Sequence, residues 1–310
     1  MKSKIWMDTD IGTDSDDALC LAYLLLRADC ELVGISTVGR DSVTRAAIAR
    51  TLCGHFGQPD IPVVAGCDRP LLPNPYWDGH RVNQAGIVPG TPASGPARPT
   101  AALESMRAAI EAAPDEITLL TVGMFSNAAL LVATEPKAAG RLKAVYSMGG
   151  RVADDPAQPV PECNVMLDAA AAAMVCTAGV PAFRLVPSNV TSRMGLDDAA
   201  MRALLSGGNL RIVRDCCEAW IAYKGKPGTG LHDPFTAACM FDPTFAGWER
   251  GHVDVALCHA RPDNGTVLEN GLVSGWTRFS PHADGPHRLA VAHAHDRYME
   301  HLDTVFAAAR

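Results

Sequence analysis

From the first residues to about position 190 the chain alternates between short apolar runs and longer amphipathic stretches. Residues 5–8, 31–36, 62–65, 117–122, 144–148 and 182–186 have strand length and composition; 16–27, 43–56, 101–113, 127–135 and 169–178 read as helices. A strand, a helix and a further strand form a βαβ unit, and a succession of such units builds a largely parallel sheet covered on both faces. The expectation is an α/β fold: one domain over 1–310 with a mostly parallel, doubly wound, Rossmann-like central sheet flanked by helices. Ligands of such sheets bind beyond the carboxyl ends of the strands. Polar groups recur there: Asp8 and Asp10, then Gly39-Arg40, Gly123 to Asn127, and Met148-Gly149-Gly150.

The densest of these tips is Asp8-Thr-Asp10-Ile-Gly12-Thr-Asp14-Ser-Asp16-Asp17, five carboxylates in ten positions between two apolar runs. Burying them unpaired would cost several kcal/mol each. A divalent cation bound through oxygen removes the conflict, so the segment reads as a metal site at a strand end. A solvated helix start, with Asp16 and Asp17 favourable to the helix dipole, is the plainer alternative. An EF-hand loop is not matched, because Gly at its sixth and Glu at its twelfth position are absent. A phosphoryl-transfer DxDGT strand is not matched either, because Gly12 and Thr13 fall one place late.

Residues 66–100 are rich in Pro and Gly and read as a long loop, a length that usually marks a functional segment. After 195 come helical patterns at 197–205 and 210–223, and His232-Asp233-Pro234 opens another helix. This helical segment, about 195–245, is expected to cover the site. Strand-like runs at 253–258 and 289–292 and a last helix over 296–309 complete the chain. The net charge of −7 and the lack of a basic run speak against nucleic acid as a partner. No apolar stretch has membrane-spanning length and no secretory h-region opens the chain, so the expected location is cytoplasmic. The ten cysteines form no CxxC pair and read as reduced thiols.

Six ordered elements carry a resemblance to a known family. DTDIGTDSDDA is similar to DTDxGxDxDDA, and IPVVAGCDRPL to PVxAGxxxPL. VGMFSNAALL is similar to GPLTNxA, MGG matches directly, PECNVMLDAAAA is similar to AEFNxxxDPEAA, and LHDPFTAA carries the HDP helix start. These are elements of the inosine–uridine-preferring nucleoside hydrolases, calcium-dependent enzymes that split ribonucleosides into base and ribose. The resemblance implies Ca²⁺ held by Asp10, Asp17, the carbonyl of Ser126 and Asp233. It implies ribose contacts from Asp16, Glu162, Asn164 and Asp233, with Met148 near the sugar. Asp10 is expected to act as general base and His232 as acid toward the leaving base. Trp220 and Tyr223 are expected to stack on the base, with Trp77 a further candidate, and Asp168 to cap the helix after it. The family forms dimers or tetramers, so a homodimer or homotetramer acting on a small nucleoside is expected.

The chain departs from the family at three places. Arg40 stands where the family has Asn, which opens the way to an unusual or modified nucleoside, or to a calcium-dependent binding protein that no longer catalyses. The HGxxGxG segment is reduced to Asp78-Gly79-His80. Ser126 replaces Thr, and Met124-Phe125 replace Pro-Leu, a change that a backbone ligand tolerates.

Overall fold

The computed structural model describes residues 2–74, 76, 80–90, 97–154, 159–259 and 272–310. Eleven strands run through it: β1 (Ser3–Thr9), β2 (Cys30–Thr37), β3 (Val63–Ala65), β4 (Ile117–Thr121), β5 (Ala144–Met148), β6 (Phe183–Val186), β7 (Gly195–Leu196), β8 (Thr229–Gly230), β9 (Ala246–Cys258), β10 (Ser274–Pro281) and β11 (His287–His293). Nine of them form one sheet in the order β10-β9-β11-β6-β5-β4-β1-β2-β3, while β7 and β8 pair separately. From β11 to β3 every neighbour is parallel; β9 runs antiparallel to both β10 and β11. The protein is thus a single α/β domain on a mostly parallel sheet.

The first helices are α1 (Asp16–Leu26), α2 (Ser42–His55), α3 (Pro99–Ala112), α4 (Ser126–Thr134), α5 (Pro136–Ala139) and α6 (Cys163–Leu167). They are followed by α7 (Ala169–Thr177), α8 (Ser188–Thr191), α9 (Asp198–Leu204), α10 (Arg211–Lys224), α11 (His232–Phe241) and α12 (His295–Ala307). The period of two in the strands sorts side chains between two cores. Ile5 and Met7, Leu120, and Ala144 and Tyr146 join α1, α2, α10, α11 and α12 on one face. Trp6, Ile117 and Leu119, and Val145 join α3, α4 and α7 on the other. Both faces are dry, which is why the strands read as continuous apolar runs rather than alternating ones.

Gly34 is bare for a packing reason: a Cβ there would sit 2.2 Å from the Trp6 ring, which lies over it at the irregularity between β1 and β2. The Trp6 indole then donates to Ser36 Oγ at 3.0 Å.

The structure differs from the expectations mainly in the last third. β9 begins at Ala246, seven residues before the apolar run at 253, because its first half is held by pairing with β11 rather than by apolar side chains. β10 was not foreseen; it is an edge strand with exposed residues and no sheet neighbour beyond β9. The short helices α5, α6 and α8 were also missed, being too brief to show a period. The long segment after β3 is not featureless: it holds a 3₁₀ turn at Ala85–Ile87 and ends in α3, which starts at Pro99. No disulfide joins any of the ten cysteines.

Candidate active site

The carboxyl ends of β1, β4, β5 and β6 converge on a cavity of about 280 Å³. Nine expected residues line it: Asp10, Asp16, Asp17, Met148, Glu162, Asn164, Trp220, His232 and Asp233. The segment from 195 to 245 contributes the last three of these. Arg40, Ser126 and Tyr223 do not line it.

Asp16 and Asp17 open α1, and Asp233 stands in the first turn of α11. Their carboxylate oxygens lie within 4.8 Å of one another and all three residues are buried. Burial, then repulsion among the neighbouring aspartates, pushes Asp17 and Asp233 well above the carboxylate range and Asp16 to about 6. Among the described residues no basic side chain forms an ion pair with any of the three. Thr9 donates its hydroxyl to Asp17 Oδ1, and the backbone N–H of Asp233 donates to Asp16. A hard divalent cation fits this donor set: oxygen only, multiply anionic, and dry. The sequence had paired Asp10 with Asp17 and Asp233; the compact trio instead contains Asp16.

Asp10 is held differently. Burial raises its pKa, but His80 Nε2, 2.8 Å from Oδ2, and the Arg45 guanidinium outweigh burial and keep it below the ordinary carboxylate range. Close packing makes this geometry possible. A Cβ on Gly39 (φ +91°) would come 3.3 Å from the His80 ring, and one on Gly123 would come 2.9 Å from the Asp10 nitrogen.

His80 reaches the site because the loop that carries it is laced to the acidic segment. Asn83 N and Gln84 N donate to Gly12 O, Asn83 Nδ2 to Thr13 O, and Gln84 Nε2 to Asp14 O. Trp77, Asp78 and Gly79 lie outside the described residues.

Arg45 has no exposed surface. From α2 it donates to the carbonyls of Asp10, Ile11 (3.1 Å) and Arg40 (2.9 Å) and to Thr13 Oγ1 (3.0 Å). It supplies the acidic loop with both a counter-charge and satisfied carbonyls. Arg40 itself is half-buried, and its carbonyl serves Arg45.

Glu162 caps α6, accepting from Asn164 N (3.0 Å) and Val165 N (3.2 Å), and also from Gly150 N (2.5 Å). Burial raises its pKa against those backbone donors. Asn164 spends Nδ2 on the carbonyls of Val122 and Met148, leaving Oδ1 for a ligand. Ser126 turns Oγ to Asp168 Oδ2 at 2.5 Å, so only its carbonyl is available for ligation. Asp168 caps α7 through Ala171 N, as the sequence indicated.

His232 Nδ1 meets Thr191 Oγ1 at 2.8 Å. Burial lowers the His232 pKa in spite of Asp14 and Glu162 nearby. Burial thus favours the neutral ring. Gly230 makes room for it, since a Cβ there would sit 2.5 Å from the ring. Trp220 stacks on Tyr223 with centroids 5.9 Å apart, and Lys224 Nζ lies 5.1 Å from the Trp220 ring. Tyr223 is 52% exposed and touches the cavity only through Trp220.

Sequence reasoning assigned no role to Asp14, Thr13, Ser188 and Cys163, which line the cavity, or to Arg45 and Thr191 behind it. Asp14, pushed up to about 7 by burial and by Asp16, was visible in the acidic motif. Arg45 and Thr191 carried no local signal.

The profile described as "Inosine-uridine preferring nucleoside hydrolase" matches residues 5–299. Uridine nucleosidase 1 of Arabidopsis thaliana is 28% identical over 295 residues, covering 90% of this chain and 87% of the plant protein. A pyrimidine-specific ribonucleoside hydrolase, RihA of Shewanella woodyi, is 29% identical over 287 residues, covering 89% and 91%. Among solved structures, a purine-preferring ribonucleoside hydrolase from Gardnerella vaginalis superposes with a TM-score of 0.78 at 19% identity, covering 99% of each chain. The fold is thereby matched across its full length.

Proposed function

This chain belongs to the inosine-uridine preferring nucleoside hydrolase family, and from that premise we propose how its cavity cleaves the N-glycosidic bond of a ribonucleoside. The supporting observation is the buried trio Asp16, Asp17 and Asp233 on the wall of a cavity that also holds Asp10, Glu162, Asn164 and His232. The trio fits calcium, with Asp10 and the Ser126 carbonyl as further ligands. Bound there, calcium supplies an anchor for ribose hydroxyls and an acidified water.

The remaining work falls to side chains. Asp10, kept ionised by His80 and Arg45, accepts the proton of the attacking water. Glu162 and Asn164 Oδ1 accept from ribose hydroxyls, and the ring of carboxylates stabilises positive charge as the sugar becomes oxocarbenium-like. His232 acts on the leaving base as a neutral imidazole whose Nδ1 is engaged by Thr191 Oγ1 at 2.8 Å, which leaves Nε2 for the base. Met148 packs near the sugar, and Trp220, backed by Tyr223, borders the base.

The relatives named for uridine and pyrimidine specificity make a pyrimidine ribonucleoside the first substrate to test. Among the described residues no helix is long and apolar enough to cross a membrane. The resemblance supports a cytoplasmic homodimer or homotetramer, which light scattering of the purified chain tests. Calcium-loaded protein incubated with a panel of plain and modified ribonucleosides should release free ribose from at least one. Silence across the panel with calcium bound would overturn the proposal.

A further inference from the structure

We infer that a second depression, bounded by Arg151, Arg193 and His293, is a binding site for a phosphate-type dianion, set behind the turn that holds Thr191. It encloses about 520 Å³, within the range of small-molecule sites. Its floor and rim come from the segment after β5, from α8 and the residues following it, and from the end of β11.

The charge pattern calls for an anion. Among the described residues neither Arg151 nor Arg193 has an acidic partner within ion-pair distance, and Asp154 is the only carboxylate on the wall. His293 Nδ1 is buried without a partner. Burial lowers the basicity of His293, and the neighbouring His295 and Arg193 push the same way, as expected beside uncompensated positive charge. Ser192 adds a hydroxyl. Guanidinium pairs favour oxyanions that take two parallel N–H bonds, which suits a phosphate or sulfate group. The net charge of −7 makes this patch a local exception, suited to a small anion rather than a polyanion.

The site is mechanically joined to the catalytic cavity. Asn189 clamps Val152 from both sides, donating to its carbonyl at 2.8 Å and accepting from its N–H at 2.9 Å. Ser188 N donates to Gly150 O at 2.9 Å. The same turn lines the catalytic cavity through Ser188 and holds His232 through Thr191. One turn of helix therefore separates the anion from the group that faces the leaving base.

The test is calorimetric titration of the calcium-loaded full chain with sodium sulfate and, separately, with ribose 5-phosphate, at ionic strength fixed with chloride. The two arms distinguish an inorganic tetrahedral anion from a phosphate monoester. Binding of one equivalent by either supports the site if R151Q/R193Q weakens it about tenfold or more and saturating ribose leaves it unchanged. No binding of either anion, binding that the double variant retains, or displacement by ribose overturns it. Arg193 is exposed, and among the described residues its side chain forms no hydrogen bond or ion pair, so R193Q alone carries the test if the double variant misfolds. The readout is independent of nucleoside cleavage, so failure here leaves the proposed reaction untouched.

Discussion

Carboxylates packed within touching distance and out of water repel unless a positive charge joins them. Asp16 and Asp14, pushed to about 6 and about 7, still hold protons at pH values where the unfolded chain has released them. Between about pH 4 and about 7 the folded state thus binds more protons than the unfolded state. The stability of calcium-free protein must therefore fall as pH rises through that window. Thermal melts in chelator should show a lower Tm at pH 7.5 than at pH 5, and calcium should remove most of the difference; a flat profile in chelator would contradict the burial of these groups. At Asp233, replacement by Asn should abolish calcium binding and cut kcat/KM by about a thousandfold or more without lowering the Tm of the metal-free chain, since it relieves repulsion. Thr191→Val removes the hydroxyl that engages His232 Nδ1 and orients the ring. It should lower kcat for natural nucleosides by roughly tenfold to a hundredfold and spare ribosides whose leaving group needs no proton.

Elements bring these groups together through backbone contacts that leave little slack. Arg45 of α2 ties down the carbonyls of Asp10 and Ile11, so Arg45→Met should cost about 3–5 kcal/mol, read by chemical denaturation, and Arg45→Lys should recover little of it because one ammonium cannot reproduce the fork. Gly230→Ala places a Cβ 2.5 Å from the His232 ring; kcat should drop while the circular dichroism spectrum is preserved. The elements differed in how far they were legible. β1, α1, β2 and α2 announce themselves through period and length, and the capping role of Asp168 follows from its place before an Ala-rich run. β10 and the front of β9 gave no such signal, because pairing across the sheet, not apolar content, holds them in place. In the sequence His80 shows only as the remnant of a family segment, since its approach to Asp10 depends on hydrogen bonds between a loop and a strand tip some seventy positions away in sequence.

At the scale of the whole molecule, the metal cluster closes a ring between the start and the last third of the chain: Asp16 and Asp17 follow β1, while Asp233 follows β8. A cation bound only by the folded state should raise stability by about 2.7 kcal/mol at a hundred times its Kd, so Tm should climb with calcium concentration and reverse with chelator. The sequence by itself determined the βαβ succession, the acidic strand tip, the family and nine of the cavity-lining residues, because those depend on local period and on residue chemistry at fixed spacing. Only the tertiary structure decided which aspartates form the trio, that Asp10 faces His80 and Arg45, and that His232 loses basicity. Those outcomes depend on burial and on distances between segments remote in sequence, and neither quantity exists until the sheet has brought its strand ends together.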